Sequence, residues 1–135
     1  MKVSTKGRYA LRMLLDLAEH KDEGFIPLKD IAERQDISKQ YLEQIVSIIN
    51  SSGALRANRG KQGGYILAKE PSAYTVGQIL RITEGNLAPI ACLEDKVNQC
   101  ERVKKCKTLS MWKGLNKVIA DYLDGITLQD LLDKK

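Results

Sequence analysis

The chain has 135 residues, of which 43% are hydrophobic, and a net charge of +5. This is the length of one ordinary domain with its own core, and the mild positive charge is only weak evidence for a nucleic-acid partner. No segment approaches the roughly 18 consecutive apolar residues of a membrane span. The amino-terminal segment is interrupted by Arg12 and Asp16 and lacks a cleavage site, so we expect neither membrane insertion nor export. An odd number of cysteines argues against a disulfide scaffold and favours a reduced, cytoplasmic protein.

Helical periodicity dominates the first third of the chain. Apolar residues at helical spacing predict a first helix over residues 5–20, capped by Ser4 or Thr5. The residues assigned to its apolar stripe are Tyr9, Leu11, Leu14, Leu15 and Ala18. A short helix over 28–34, a tight turn at 35–37 and a second helix from Ser38 to Gly53 follow. This arrangement is a helix-turn-helix.

Two short strands are predicted after the second helix of this motif, at 55–57 and 65–67. They flank a polar turn that contains Arg59 and three glycines, Gly60, Gly63 and Gly64. Glycine allows such a turn to bend sharply and to approach a ligand closely. We therefore predict a mainly α protein with a small β-wing, the architecture of a winged helix-turn-helix.

The second half of the chain is predicted to be helical except around its cysteines. Thr75 is predicted to cap a helix that ends at residue 84. Residues 85–107 show no periodicity, and a long helix with an apolar stripe follows over 108–123. Thr127 is predicted to cap a final turn.

The outer face of the second helix of the motif carries groups that can read DNA bases. The major groove admits one α-helix, glutamine pairs with adenine edges, and glutamate accepts from the cytosine amine. Arg59 could reach a minor groove from the wing, and Ser4, Thr5 and Lys6 could hold a phosphate at the start of the first helix. The alternative is a helical domain with a hairpin and an ordinary solvated surface. The predicted outward residues are Lys39, Gln40, Glu43, Gln44 and Ser47.

Three segments carry a family resemblance: STKGRYAL at 4–11, YLEQI at 41–45 and RGKQGGY at 59–65. They resemble the bacterial winged-helix regulators that include IscR, NsrR and CymR, and the likeness extends to the closing ITLQDLL. The resemblance implies a homodimer on an imperfectly palindromic double-stranded DNA site, with the recognition helix in the major groove and the wing in the minor groove. The DNA-contacting residues that it implies are Ser38, Gln40, Tyr41, Glu43, Gln44, Arg59, Gly60, Gly63 and Gly64. Tyr41 could instead be a packing residue.

The resemblance also implies how the chain is divided. Residues 1–84 would form the DNA-binding region, 85–107 a cysteine-bearing sensor loop, and 108–135 a dimerisation helix with a C-terminal turn, all within one compact domain. An ordinary core helix is the alternative for the long helix.

The three cysteines, Cys92, Cys100 and Cys106, lie within fifteen residues. No CxxC pair exists, so this is neither a zinc-finger nor a ferredoxin pattern. It resembles the three-cysteine loop of the iron–sulfur members of the family, which implies an iron–sulfur cluster, [2Fe–2S] rather than [4Fe–4S]. Thiolates also suit zinc, and oxidation of free thiols is a further possibility. Basic side chains around the loop would lower the thiol pKa values; they are Lys96, Arg102, Lys104, Lys105 and Lys107.

The sequence does not identify the fourth ligand of such a cluster. The first cysteine spacing is longer than in IscR-like members, and Leu109 stands where these carry a histidine. The position that corresponds to the acidic ligand of NsrR-like members is Arg8, which cannot ligate. His20, the only histidine, is expected to be a surface residue. The remaining candidates are Glu94, Glu101, Thr108, solvent or a small thiol.

The resemblance thus implies a transcription regulator that senses iron–sulfur status or redox state through a labile cluster and, as IscR-like members suggest, controls cluster-assembly genes. The alternative is a CymR-like regulator of cysteine metabolism that acts through a regulatory protein partner without a cluster. An enzyme is disfavoured, because no nucleophile is paired with a base. The glycines of the wing are not a phosphate loop either, since no GK[ST] follows them.

Overall fold

The computed structural model describes residues 3–60, 63–94 and 102–134. The mainly helical fold with a small antiparallel β-wing is confirmed in these ranges. None of the described helices is long and apolar enough to cross a membrane. The elements are α1 (Thr5–Glu19), α2 (Leu28–Gln35), α3 (Lys39–Ser51), β1 (Leu55–Asn58), β2 (Gly64–Leu67), α4 (Val76–Glu84), α5 (Leu109–Asp124) and α6 (Leu128–Leu132), with short 3₁₀ turns at Lys21–Glu23, Pro71–Ala73 and Ala91–Leu93.

Helix α1 lies at the centre of the fold and packs against α2, α3, α4 and α6. Its most deeply buried residues differ in part from those that the helical periodicity predicted. Tyr9, Leu11 and Leu15 are only partly buried and form the edges of the apolar face. The predicted stripe therefore covered only part of the buried face, because helices pack on more than one side of α1. The fully buried residues at its centre are Ala10, Met13, Leu14 and Leu17.

The helix-turn-helix is formed by α2 and α3. Helix α2 is followed by Asp36, the only described non-glycine residue with positive φ, in the left-handed conformation that aspartate tolerates. The Ser38 hydroxyl then accepts a hydrogen bond from the Tyr41 N–H at 3.1 Å and caps α3, as predicted. Gly53, with φ of 83°, follows the end of α3.

The wing is a two-stranded sheet in which Leu55 pairs with Leu67 and Asn58 with Gly64. Each strand is one residue longer than predicted. The loop before α2 adds a bridge to this sheet, since Ile26 and Tyr65 exchange two backbone hydrogen bonds of 2.9 Å. The wing is thus anchored to the segment that leads into the helix-turn-helix.

The C-terminal segment completes the core. Thr75 and Thr127 each form a capping box at the start of α4 and α6, as predicted for both caps. Leu128 is fully buried, and its N–H donates to the Tyr74 carbonyl at 3.0 Å. The N–H of Val76 donates to the Ile126 carbonyl at 2.8 Å. Helix α6 therefore belongs to the same core as α1 and α3.

The close approach of Gly64 to the loop before α2 gives a testable consequence. A Cβ at Gly64 would lie 2.8 Å from the Pro27 nitrogen, whereas a Cβ at Gly60 would meet nothing within 4 Å. We expect Gly64→Ala to lower the free energy of unfolding by about 1–3 kcal/mol, because the backbone must shift. Gly60→Ala, the matched control, should change it by less than about 0.5 kcal/mol. Urea unfolding measures both, and equal stability of the two variants would contradict this packing.

Candidate nucleic-acid interface and cysteine site

One face of α3 is buried and the other is available to a partner. Leu42, Ile45 and Ile49 are completely buried, as predicted, and Val46 joins them. The opposite face carries only polar or charged side chains, and all of them are exposed. These exposed residues are Lys39, Gln40, Glu43, Gln44 and Ser47. The buried and exposed faces of α3 are therefore those that the sequence predicted.

Two residues with predicted DNA contacts also have structural roles. The Ser38 side chain is exposed, but its oxygen caps α3. Tyr41 is half-buried, and its ring stands edge-on to that of Tyr9 with centroids 5.7 Å apart. Such an edge-to-face pair is a favourable aromatic arrangement. The structure thus gives Tyr41 the packing contact that the sequence left open for it.

Charge at the start of α3 is balanced within the helix. The Lys39 ammonium lies 3.9 Å from the Glu43 carboxylate, one turn along, and both side chains are more than half exposed. An exposed pair of this kind adds little stability. Both groups can therefore exchange this partner for a phosphate or a base at small cost.

The tip of the wing presents Arg59. Its side chain is exposed and makes no ion pair with any residue in the described ranges. The Gly63 N–H donates to the Gly60 carbonyl at 2.9 Å. Residues 61–62 lie outside the described residues. The wing thus offers an accessible guanidinium beside the Gly60–Gly63 hydrogen bond.

The start of α1 differs from the expected phosphate site. The Ser4 N–H and hydroxyl both donate to one carboxylate oxygen of Glu84, at 3.0 and 2.6 Å. Gly7 permits this approach, because a Cβ there would lie 2.5 Å from the same oxygen. An anion of the protein itself therefore occupies donors that the sequence assigned to phosphate. No local pattern could reveal this contact, since 80 positions separate the two residues.

Two of the three predicted cysteine ligands are described, and both are free thiols of intermediate exposure. Cys92 lies in the 3₁₀ turn Ala91–Leu93, and Cys106 lies three residues before α5. Cys100, together with Lys96 and Glu101, falls outside the described residues. Within the described ranges, no group of three histidine, cysteine or acidic residues is arranged to hold a metal ion.

The surroundings of Cys106 favour its thiolate. Its sulfur lies 3.3 Å from the Thr108 hydroxyl. Hydrogen bonds from the Thr108 side chain and backbone, with smaller contributions from the Leu109 N–H and the charge of Arg102, outweigh burial and lower the Cys106 pKa. The thiolate is the form that binds metals. The donor chemistry at this position therefore suits a thiolate-ligated metal or cluster.

His20 is engaged within its own helix and the turn that follows. Its Nδ1 lies 2.8 Å from the Asp16 carbonyl oxygen, and its Nε2 lies 3.9 Å from the Glu23 carboxylate. The imidazole is half-buried rather than a plain surface group, because it covers the end of α1. These contacts give it a local structural role.

A profile of the Rrf2 family, described as an iron-dependent transcriptional regulator, matches residues 3–134. The transcriptional regulator IscR of Pectobacterium atrosepticum is 37% identical over 135 residues, which are all of this chain and 81% of that protein. The structure of T. potens IscR is 42% identical, with a TM-score of 0.76, over 98% of this chain and 86% of that one. The structure of CymR, the global cysteine regulator of B. subtilis, is 40% identical, with a TM-score of 0.79, over 97% of this chain and 95% of that one.

These relatives are named as transcriptional regulators and not as enzymes, as the sequence led us to expect. IscR-type and CymR-type proteins are similar to this chain at comparable identity. The family match spans the winged helix-turn-helix, the cysteine-bearing segment and α5. The chain belongs to the Rrf2 family of transcription regulators.

Proposed function

We propose that this protein is a homodimeric repressor or activator whose DNA binding responds to a labile iron–sulfur cluster on Cys92, Cys100 and Cys106. By its likeness to IscR-type proteins, we propose cluster-assembly genes as its targets. The observation that supports a thiolate-bound cofactor is the cysteine trio just before α5, in which the Cys106 sulfur is partly exposed and lies 3.3 Å from the Thr108 hydroxyl.

The proposed DNA contacts rest on the exposed polar face of α3 and the wing. We assign base contacts to Gln40, Glu43 and Gln44, and a minor-groove contact to Arg59. The hydroxyl of Ser38 and the ring of Tyr41 lie at the start of the same helix, where phosphates flank an inserted helix. The backbone at Gly60, Gly63 and Gly64 would let the wing approach the sugar–phosphate chain closely.

The α3 assignment predicts a loss of sequence discrimination in Gln44→Ala. A good bidentate base contact contributes about 1–3 kcal/mol, so affinity for the preferred duplex should fall roughly tenfold or more. The duplex is one that the wild type selects from a random-sequence pool, and fluorescence anisotropy measures its binding. Asn50→Ala, an exposed residue near the opposite end of α3, is the matched control and should bind like the wild type. Unchanged discrimination in Gln44→Ala would contradict its role in base reading.

Dimerisation is supported by an apolar row on α5 that no described part of the chain covers. Met111, Leu115, Val118 and Tyr122 are between 39% and 66% exposed and recur every three or four residues. The adjacent side of α5, with Ile119 and Leu123, packs on the cluster around Leu80. A row of this kind on a long helix fits the same row of a second copy, related by a two-fold axis.

Placing a charge in this row should separate the proposed dimer. We expect Val118→Glu to raise the dimer dissociation constant about 100-fold or more, because an unpaired charge in an interface costs about 3–5 kcal/mol. Ser110→Glu introduces the same side chain at an exposed position outside the row and should remain dimeric. Sedimentation velocity over a concentration series measures both. A wild type that is monomeric throughout, or a dimeric Val118→Glu, would overturn the assignment.

The cysteine residues fit a thiolate-bound group in their chemistry. Cys92 and Cys106 are partly accessible free thiols, and Thr108 lies beside Cys106 as a candidate weak fourth donor. When bound, an iron–sulfur cluster would supply a group that is lost on oxidation or iron shortage. The protein itself would supply the cysteine thiolates that bind this group. A conformational change in residues 85–107 would then affect α4 and α5, the helices on either side of the segment.

The first test is anaerobic purification of the wild type, Cys92→Ala and Ser110→Ala. We expect a coloured wild type with matching iron and sulfide, and Ser110→Ala should be the same. Cys92→Ala should lose most of the iron and sulfide, because one thiolate ligand is removed. Visible absorption and iron and sulfide analysis give the result.

A colourless wild type that resists anaerobic reconstitution would contradict the cluster. The likeness to CymR would then favour a regulator of cysteine metabolism that acts through a partner protein. Binding of zinc alone would instead identify a zinc site on the same thiolates. Loss of DNA binding on thiol oxidation in the absence of iron would identify a sensor that uses its free thiols directly.

A further inference from the structure

Three side chains of α1 form a row that faces the helix-turn-helix. Tyr9, Arg12 and Asp16 are spaced by three and four residues, so they lie on one face of the helix. We call them the α1 row. Each member contacts α2 or α3, and none of these contacts was predicted from the sequence.

The Asp16 carboxylate holds the last turn of α2. Its side chain is only 1% exposed, and it accepts hydrogen bonds from Arg34 at 2.6 and 3.0 Å and from the Gln35 amide at 3.0 Å. Burial alone would raise its pKa, but these hydrogen bonds and the charges of Arg34 and His20 lower it. The group is therefore a carboxylate at neutral pH and requires its partners, because an unpaired buried charge is costly.

Arg12 holds the end of the same helix from the outside. Its Nε donates to the Gln35 side-chain oxygen at 3.2 Å, and a second nitrogen donates to the Gln35 backbone carbonyl. That carbonyl is among the last of α2, where intrahelical donors are lacking and a cation is favourable. Asp36, the turn residue, follows directly.

Tyr9 connects Arg12 to the recognition helix. The Arg12 guanidinium carbon lies 5.1 Å from the centre of the Tyr9 ring, within the range of a cation–π contact. The Tyr9 ring in turn stands at 77° to the ring of Tyr41, in the first turn of α3. The contacts Gln35–Arg12–Tyr9–Tyr41 thus span the turn between α2 and α3 from outside the motif.

We propose that Arg12 is a positioning residue for DNA recognition, which fixes the angle between α2 and α3 without itself carrying sequence information. This inference rests on the proposed reading of bases by α3. Two of the three guanidinium nitrogens are already engaged with Gln35, so the group is bound within the protein rather than held free for a phosphate. Loss of the two hydrogen bonds from Arg12 to Gln35 should misplace Gln40 and Gln44. The sequence-independent electrostatic attraction to DNA should remain intact.

The test compares Arg12→Lys and Arg12→Met. Lysine keeps the charge but cannot reproduce the planar fork, and methionine keeps only an apolar stem. We expect both variants to bind the selected duplex about tenfold more weakly than the wild type, and to bind a scrambled duplex of equal composition with affinity within about twofold. Because Arg12 is exposed, both should retain the wild-type circular dichroism spectrum and thermal transition within a few degrees.

Salt dependence separates positioning from direct phosphate contact. A lost phosphate contact lowers the slope of log affinity against log salt by about one and weakens both duplexes alike, and lysine would largely restore it. The positioning role predicts an unchanged slope in both variants and no rescue by lysine. Rescue by lysine, or an equal loss on both duplexes, would overturn it.

The wild type provides the internal reference. If it selects no sequence from the random pool, the proposed base reading by α3 fails. If it does select one and Arg12→Lys discriminates like the wild type, the positioning role alone is overturned. Asp16→Asn, which weakens the other end of the α1 row, should reduce discrimination in the same direction, and full discrimination in this variant would count against the row.

Discussion

The ion pair between Asp16 and Arg34 is the constraint on which the DNA-binding half of the molecule depends. Apolar packing is non-directional, so it brings α1 and α2 together without fixing how one lies on the other. A buried carboxylate is different, because it must meet its donors at defined distances and angles. Both of its main donors, Arg34 and Gln35, belong to the last turn of α2, and so the end of that helix and the turn after it are fixed.

The elements that follow depend on where this turn is placed. Asp36 leaves the helix in a left-handed conformation, and Ser38 begins α3 two residues later. The exposed face of α3 and the wing are then presented together, since Ile26, just before α2, is bonded to Tyr65 of β2. The described parts of the candidate interface are thus connected through α1 and the loop before α2.

Local rules predicted most of the fold. Caps at Ser38, Thr75 and Thr127 and the buried face of α3 follow from side-chain hydrogen bonding and helical period, which act within a few residues. The contacts of Asp16 and Glu84 could not be predicted in this way. Their partners are 18 or more positions away, and only the tertiary structure brings them together. The cysteines present the same problem more strongly, because spacing identifies the ligand types but not their arrangement in space.

The burial of Leu128 joins the C-terminal end of the chain to the core of the molecule. This residue closes the core around α1 and α3, and only residues 125–127 separate it from the end of α5. The helix proposed for subunit pairing is therefore joined to the core that supports α3, since its C-terminal extension is embedded in that core. A movement of α5 would reach α3 through this embedded segment as well as through α4, which contacts both helices. Residues 125–127 thus provide a short connection between the exposed row of α5 and the core that supports α3.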